Sequence, residues 1–431
     1  AGKIVNEGII RAGKDGNVIL IAPQIENNGI IKSDGGSITL AAGHELTITN
    51  LDDPDIRFQI QAPADSAVNL GKLLTEGGAI NVFAGTIKHS GEINADSVEV
   101  DAQGNIRLVA AQDITLAAGS KISANNSQGN AGNIHIDSQD GATLAQGVIE
   151  AKAGQTGDST SLTTGKGGNI ELLGERVGVL GQARIDASGK NGGGRVLIGG
   201  DYQGKNPAIH NAKATYAGKD TVIKADAKTN GDGGKVIVWA DDITRAFGSI
   251  SAQGGMQSGN GGFIETSGRQ YLDVEGVRIN ASAANGRSGS WLLDPNNIRI
   301  IHATGTSSDV NMSAANPFAP PSDSINSIIS DYTINRALGG YTSVSLTTSS
   351  GSSAGSGVRF LVASYGSIVI SKNSSDTFST TLTFNAFNNI KFLSSGNTTF
   401  ETTSTTGTGG LNVVFNPGAG KVMIENGTTL N

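Results

Sequence analysis

The chain has 431 residues, and its 62 glycines make up about one residue in seven, roughly twice the ordinary usage. The glycines show no every-third period and only 9 prolines accompany them, which excludes a collagen triple helix. The net charge of -7, from 31 basic and 38 acidic residues, leaves no basic stripe, so no nucleic-acid partner is expected. The sequence contains no cysteine, which excludes disulfides, thiolate ligands and thiol nucleophiles.

A short apolar phrase that follows a glycine recurs along the chain. It has apolar side chains at alternating positions, the period of a half-buried strand, and it begins at Gly16, Gly36, Gly78, Gly104, Gly132, Gly168, Gly194, Gly234 and Gly262. One position of the phrase predicts a single column of interior side chains, formed by Ile134, Ile170, Val196, Val236 and Ile264.

Two further strand-like segments separate the copies of this phrase. One reads Ile-x-Ala, as at residues 93–95, and the other is a short apolar stretch such as residues 177–179. Successive phrases lie 20 to 42 residues apart, so the longer intervals contain insertions. The pattern predicts an all-β, right-handed parallel β-helix with three strands per turn, extruded loops and one short helix.

The composition divides the predicted β-helix into two parts. Residues 1–301 contain 58 charged residues and form a shaft with loop insertions near 51–66 and 201–217. Residues 302–431 contain only 11 charged residues but 42 Ser and Thr, and are expected to continue the β-helix. A connector and a short helix are predicted at 317–338, where apolar residues approach helical spacing after Ser324, the expected cap.

Four blocks carry a more specific signal: GDGGKVIVW at 231–239, GSISAQGG at 248–255, GNGGFIETSG at 259–268 and GSWLLDP at 289–295. They resemble the large exoproteins of bacterial two-partner secretion, a family that includes filamentous haemagglutinin, high-molecular-weight adhesins and haem-haemopexin-binding exoproteins. The resemblance implies a secreted or bacterial cell-surface protein whose full-length form uses an outer-membrane transporter. The Asn-Pro-Asn motifs of the family's secretion domain are absent, so the chain is expected to lie downstream of that domain.

The sequence gives little indication of catalysis. Its five histidines are scattered and show no recognisable nucleophile motif, and no acidic turn repeats as a metal site would. We therefore expect no enzyme activity, no catalytic residue, no metal and no cofactor. The alternative is a polysaccharide lyase, for which the candidate clusters are Asp241 and Asp242 with Arg245, or Asp52 and Asp53 with Asp55 and Arg57. Solvated turns explain such acids more simply.

The two inserted segments are the predicted places for binding, because specificity in a regular coil must come from its interruptions. The candidate residues in 201–217 mix aromatic, basic and amide groups, and comprise Tyr202, Lys205, Asn206, His210, Lys213 and Tyr216. Those in 51–66 are charged, and comprise Asp52, Asp53, Asp55 and Arg57. The alternative for either segment is a loop that only covers the coil.

The leading functional hypothesis is an adhesin fragment that binds a cell-surface protein or glycan of a host or neighbouring cell, as a monomer. Two alternatives use the same coil. One is a capture module of the haem-haemopexin-binding type, and the other is the structural stalk of a contact-dependent toxin. The sequence does not distinguish among the three.

Overall fold

The computed structural model describes residues 2–43, 65–69, 71–99, 102–154, 165–302, 318, 327–348, 358–360, 368–372, 378–392, 397–403 and 409–424. These residues form a parallel β-helix with three strands per turn, which confirms the predicted fold class. Because the strands of each turn pair with those of the next, the coil has three faces. No helix in the described ranges is long and apolar enough to cross a membrane.

The first face holds the recurring phrase. Its strands are β3 (Val18–Ala22), β6 (Ser37–Ala42), β9 (Ala79–Ala84), β12 (Asn105–Ala110), the first part of β15 (Asn133–Ala145), the first part of β17 (Asn169–Val179), β19 (Arg195–Ile198), β22 (Lys235–Ala240), β25 (Phe263–Gly268), β28 (Ser290–Leu293), β31 (Ser343–Thr347), β34 (Thr380–Asn385) and β37 (Leu411–Asn416).

The second face contains the remaining parts of β15 and β17, which bend from the first face and join the two into one sheet. Its other strands, in spatial order, are β1 (Lys3–Asn6), β4 (Gln24–Asn27), β7 (Ser66–Asn69), β10 (Thr86–His89), β13 (Ile114–Leu116), β20 (Ala214–Ala217), β23 (Ile243–Ala246), β26 (Tyr271–Asp273), β30 (Ser327–Ser330), β29 (Ile298–Ile301), β32 (Val358–Phe360), β35 (Ile390–Phe392) and β38 (Val422–Ile424).

The third face contains the Ile-x-Ala segments. Its strands are β2 (Ile9–Lys14), β5 (Ile30–Asp34), β8 (Lys72–Thr75), β11 (Glu92–Asn94), β14 (Lys121–Ser123), β16 (Val148–Glu150), β18 (Arg184–Asp186), β21 (Val222–Lys224), β24 (Ser249–Ser251) and β27 (Arg278–Asn280), then β33 (Ile368–Lys372) and β36 (Thr398–Thr402) beyond the helix α1 (Asp331–Gly339).

The interior is a stack of apolar columns, and the predicted column is confirmed. Ile134, Ile170, Val196, Val236 and Ile264 stand in register on successive turns, and all five are buried. The next position of the column is a larger side chain, Trp291, which is fully buried and donates from Nε1 to Thr266 Oγ1 at 2.9 Å; Val344 and Leu382 continue the column beyond it. The thin core therefore needs few aromatic residues, as the composition indicated.

One strand of the second face lies out of chain order. β30 pairs with β29 on one side and with β26 on the other, although β29 precedes it in the sequence. The chain therefore returns after β29 and inserts β30 beneath it. The second face therefore has one strand more than the first and third faces at this level of the coil.

The helix α1 occupies the corresponding level of the third face, between β27 and β33. It begins at Asp331, not after Ser324, because residues 327–330 form β30; Ser330 is the cap, and its Oγ accepts from Thr333 N at 3.1 Å. The predicted helix was therefore correct in existence but wrong in its start. The predicted connector at 317–323 lies outside the described residues except for Phe318.

Side chains of the helix and of Thr342, which follows it, replace the missing strand pairing. The Asn335 amide donates to the Val369 carbonyl at 2.7 Å and accepts from Ser371 N at 2.8 Å, much as a peptide group would. On the other side, Thr342 Oγ1 accepts from Ala281 N at 2.8 Å. The sheet interruption is thus bridged by hydrogen bonds that satisfy exposed strand edges.

Candidate binding surface

The first face carries apolar side chains on its outer side as well as its inner side. In the sequence, residues 196–198 and 236–240 read as continuous apolar runs instead of alternating ones. The outward residues Leu197, Ile237 and Trp239 are nevertheless buried, with Ile209 and Phe263 packed against them. Something must therefore cover the coil here, because such a strip would otherwise face water.

The cover is a segment that we call the strap, residues 199–213, which connects β19 to β20. It contains a 3-10 turn at Tyr202–Gly204 and otherwise no regular structure. Gly204, with φ of +61°, lies against the Trp239 ring, and a Cβ atom there would be 2.6 Å from Trp239 Cε2. Glycine at 204 therefore allows both the turn and the close approach to the indole.

The strap is attached to β15, β17, β19, β22 and β25, and to Asp294 just beyond β28. Toward the amino-terminal turns, His210 Nδ1 lies 3.0 Å from Asp137 Oδ1 on β15, and Lys213 forms an ion pair with Glu175 on β17. The hydrogen bond with Asp137 raises the pKa of His210 above its ordinary value. The strap therefore runs along the coil axis for roughly 24 Å at the usual strand spacing.

Asp201 is the central attachment. Its carboxylate lies 2.9 Å from Arg195 Nη2 and 3.4 Å from Lys235 Nζ, and it accepts from the Asn206 amide at 2.9 Å. Burial would raise the pKa of Asp201, but hydrogen bonds from Asn206 and the Tyr202 backbone, with the two positive charges, lower it to about 2. The carboxylate stays ionised and fixes the start of the strap on β19 and β22.

Toward the carboxyl-terminal turns, the strap contacts two buried carboxyl groups. The backbone N–H of Gln203 donates to Glu265 on β25, at 3.2 and 3.3 Å from the two oxygens, and its side-chain amide donates to Asp294 beyond β28. Burial raises the pKa of Glu265 to about 8, and repulsion from Asp294 adds to the effect, although hydrogen bonds from Ser267 and Gln203 oppose it. A neutral glutamic acid is thus favoured under the strap at neutral pH.

The structure divides the predicted binding residues of 201–217 into two groups. Tyr202, Lys205 and Lys213 are exposed, and Asn206 and His210 are partly exposed but engaged with Asp201 and Asp137. Tyr216 is fully buried on β20, where its ring contacts Phe247 edge-on. Its inclusion as a surface contact was wrong, because residues 214–217 form a strand of the second face.

The other predicted segment cannot be placed in the same way. Asp52, Asp53, Asp55 and Arg57 lie outside the described residues, and the described part of 51–66 begins at residue 65. The candidate surface is therefore the strap. Sequence reasoning missed Asp201, Gln203, Glu265 and Asp294, which anchor it; the continuous apolar runs beneath them were the available signal.

Beside the strap lies a groove of about 680 Å³ along one corner of the coil. Paired glycines of successive turns form its floor, and Arg195, Lys235 and Phe263 stand along the wall nearest the strap. The Tyr202 ring packs against Phe263 at a centroid distance of 5.8 Å, and Lys235 Nζ lies 5.4 Å from the Tyr202 ring centre. Tyr202 therefore contacts two of the residues that line the groove, Lys235 and Phe263.

Three histidines in the described residues pair with carboxylates. His135 Nδ1 lies 2.8 Å from Glu171, His210 pairs with Asp137, and His302 Nδ1 lies 2.7 Å from Asp331. None of their described contacts is to a Ser or Thr hydroxyl. Within the described ranges, no group of three or more His, Asp or Glu residues is placed to hold a metal ion. The pairs fix side chains on the surface.

The chain was compared with solved structures, curated proteins and protein-family models. The chain is similar to the crystal structure of the HMW1 secretion domain from Haemophilus influenzae, with 34% identity and a TM-score of 0.49; the alignment covers 68% of this chain and 66% of that chain, slightly less than two thirds of its length. No protein-family model matches the chain, and no curated protein matches it significantly.

Because the matched protein is itself a secretion domain, the match lends no support to the expectation that this chain lies downstream of one.

Proposed function

We propose that the chain is part of a two-partner-secretion exoprotein that acts outside the cell as a non-enzymatic adhesin. The full-length protein would pass through an outer-membrane transporter and be secreted or held at the bacterial surface. The similarity to the HMW1 secretion domain supports the export route. The adhesive role rests on the strap, whose ligand we expect to be a surface protein or glycan of a host or neighbouring cell.

The observation that carries this proposal is that the strap raises side chains above an otherwise regular face. Tyr202 is 42% exposed, and Lys205, Pro207 and Ala208 are exposed beside it. Their backbone is held by Asp201 and Gln203, so a ligand would meet a pre-formed surface and lose little affinity to ordering of the loop. Tyrosine is among the side chains enriched at binding surfaces.

The test is binding of the purified chain to host cells and extracellular matrix, compared with two variants. Ala208→Asp changes the charge of the raised surface at an exposed side chain and leaves Lys205 in place, because Lys205 Nζ donates to Gln203 Oε1 at 2.7 Å. Lys88→Glu, on the exposed side of β10, is the matched control. Adhesion lost only in the strap variant would support the proposal, and equal binding by all three proteins would contradict it.

The stalk is the second candidate, and a specific observation favours it. The charged groups Asp201, Arg195 and Lys235 are directed at the strap's own attachment, as expected for a segment whose first role is to cover the coil. A stalk predicts no adhesion by this chain in any variant. The same binding assay therefore separates the two candidates.

A further inference from the structure

The strap covers a carboxyl group that the coil alone would expose. Glu265 occupies the outward row of the first face, in register with Leu197 and Ile237 on one side and Leu292 on the other. It is nevertheless fully buried. Because its side chain points away from the coil interior, its burial depends on the strap that lies over it.

The groups that face Glu265 come from three elements. The strap supplies Gln203 and the Tyr202 ring, β22 supplies Lys235, and the end of β28 supplies Asp294. Lys235 Nζ is engaged by Asp201 at 3.4 Å, and no described ion pair includes Glu265. An ionised Glu265 would therefore face a second carboxyl group in a site closed to water, where repulsion is weakly screened.

The backbone of the strap is suited to local movement. Its two ends are held to neighbouring turns by backbone hydrogen bonds, from Gly199 to Leu172 and from Lys213 to Glu175. Between these ends it makes no strand pairing, and side-chain contacts and a few turn hydrogen bonds hold it. Gly199 and Gly204 have φ of +73° and +61°, and Gln203, which is not a glycine, has φ of 53°. A left-handed conformation at Gln203 persists because Glu265 and Asp294 hold its amide groups.

We propose that the strap switches reversibly between a closed and an open conformation. Gln203 holds the closed conformation, and ionisation of the Glu265 carboxyl opens the strap. Opening would uncover the apolar strip of Leu197, Ile237 and Trp239 on the outside of the coil while the interior columns remain packed. This device does not depend on the proposed adhesive role, since it needs no ligand.

The pH range follows from the two states of Glu265. With the strap closed, the pKa of Glu265 is about 8, whereas with the strap open and the carboxyl hydrated the pKa would return toward the ordinary value of 4.5. The closed state then binds the proton more tightly, so the open fraction rises with pH, by up to about tenfold per pH unit, between these values. Above the higher value both states are ionised and the open fraction stops rising.

The first measurement is hydrogen–deuterium exchange of the full chain at pH values from 5 to 9, corrected for intrinsic exchange. The Gly204 N–H, which donates to the Asp201 carbonyl at 2.8 Å, reports the strap, and the amides of β22 report the coil. We expect strap exchange to rise between pH 5 and 8 while β22 is unchanged. A strap rate that is flat with pH, or that rises equally with β22, would overturn the proposal.

Fluorescence provides a second, independent reading. The chain has two tryptophans; Trp239 lies under the strap, and Trp291 lies in the interior column. In a Trp291→Phe background, acrylamide quenching of Trp239 should increase over the same pH range. If this variant does not fold, the exchange experiment on the unmodified chain decides the matter.

Two variants test the roles that the proposal gives to Glu265 and Gln203. Glu265→Gln keeps the shape and an acceptor for the Gln203 N–H but cannot ionise, so strap exchange should lose its pH dependence. Gln203→Ala removes the bond to Asp294 and should raise strap exchange at every pH. A Glu265→Gln chain with the same pH profile as the unmodified protein would show that another group controls the strap.

Discussion

The Nδ2 atom of Asn69 lies 3.2 Å from Nδ1 of His89, where a column of buried asparagines ends. In that column the Asn6 amide donates to Asn27 and the Asn27 amide to Asn69, each at 2.7 Å. His89 Nε2 lies 3.3 Å from the Lys121 carbonyl, and Nδ1 lies 3.2 Å from the Asn69 carbonyl. The tautomer protonated at Nε2 donates to Lys121 and accepts from the Asn69 amide, whereas the Asn69 carbonyl could accept only from a protonated Nδ1. The next position is Leu116, which cannot continue the ladder.

Protonation of His89 should weaken the amino-terminal turns. Burial lowers its pKa from the ordinary 6.5, although the carbonyls of Lys121 and Asn69 oppose this. Below 6.5 the unfolded chain therefore binds the proton more tightly, and stability falls with decreasing pH, by at most about 1.4 kcal/mol per pH unit. His89→Asn should remove this contribution. Urea unfolding of both proteins between pH 4.5 and 7.5 measures it, and parallel curves would contradict the assignment.

The interior column predicts a strong dependence on side-chain charge. Val236 is fully buried between Val196 and Ile264. Val236→Asp should lower the free energy of unfolding by about 4 kcal/mol or more, because it buries an unpaired charge. Val236→Ile adds one methylene and should cost about 1–2 kcal/mol. Thermal unfolding distinguishes them, and equal melting temperatures would refute the register.

The amide of Asn335 should contribute to stability as a substitute for a peptide group. Asn335→Ala leaves the Val369 carbonyl and the Ser371 N–H of β33 without their helix partner. We expect a loss of about 1–3 kcal/mol in the free energy of unfolding. Tyr332→Ala, on the exposed side of the same helix, is the control and should change stability by about 0.5 kcal/mol or less. A similar loss in both variants would argue against bridging.

The chain is predicted to need no metal. Its sequence has no cysteine, and the described ranges contain no cluster of three His, Asp or Glu residues suited to one. Addition of EDTA, followed by calcium in excess, should therefore leave the melting temperature within about 1 °C, since only a bound ion is linked to stability. A larger, reversible shift would show a metal site.

The sequence predicted the coil but not what lies on it. Alternation after each glycine identifies which side chains point inward, and Val196 and Val236 were assigned correctly. Alternation cannot reveal a segment that covers the outer side of a strand. The attachment of the strap to Glu265 was therefore not predicted, because it joins residues 62 positions apart in the sequence. The start of α1 was missed for a similar reason: residues 327–330 are helix-compatible locally, and pairing with β29 makes them a strand.

The out-of-order strand β30 has a mechanical consequence. If the chain is pulled from its carboxyl-terminal side, the outer turns can peel away one at a time, because each rests on the one before it. At β30 this sequence stops, since β29 lies over it and β26 under it. To leave, β30 must slide between two strands and break its hydrogen bonds together. Extraction of β30 under tension thus requires shear against both neighbouring strands. This requirement protects the turns that precede β30 in the sequence from unfolding.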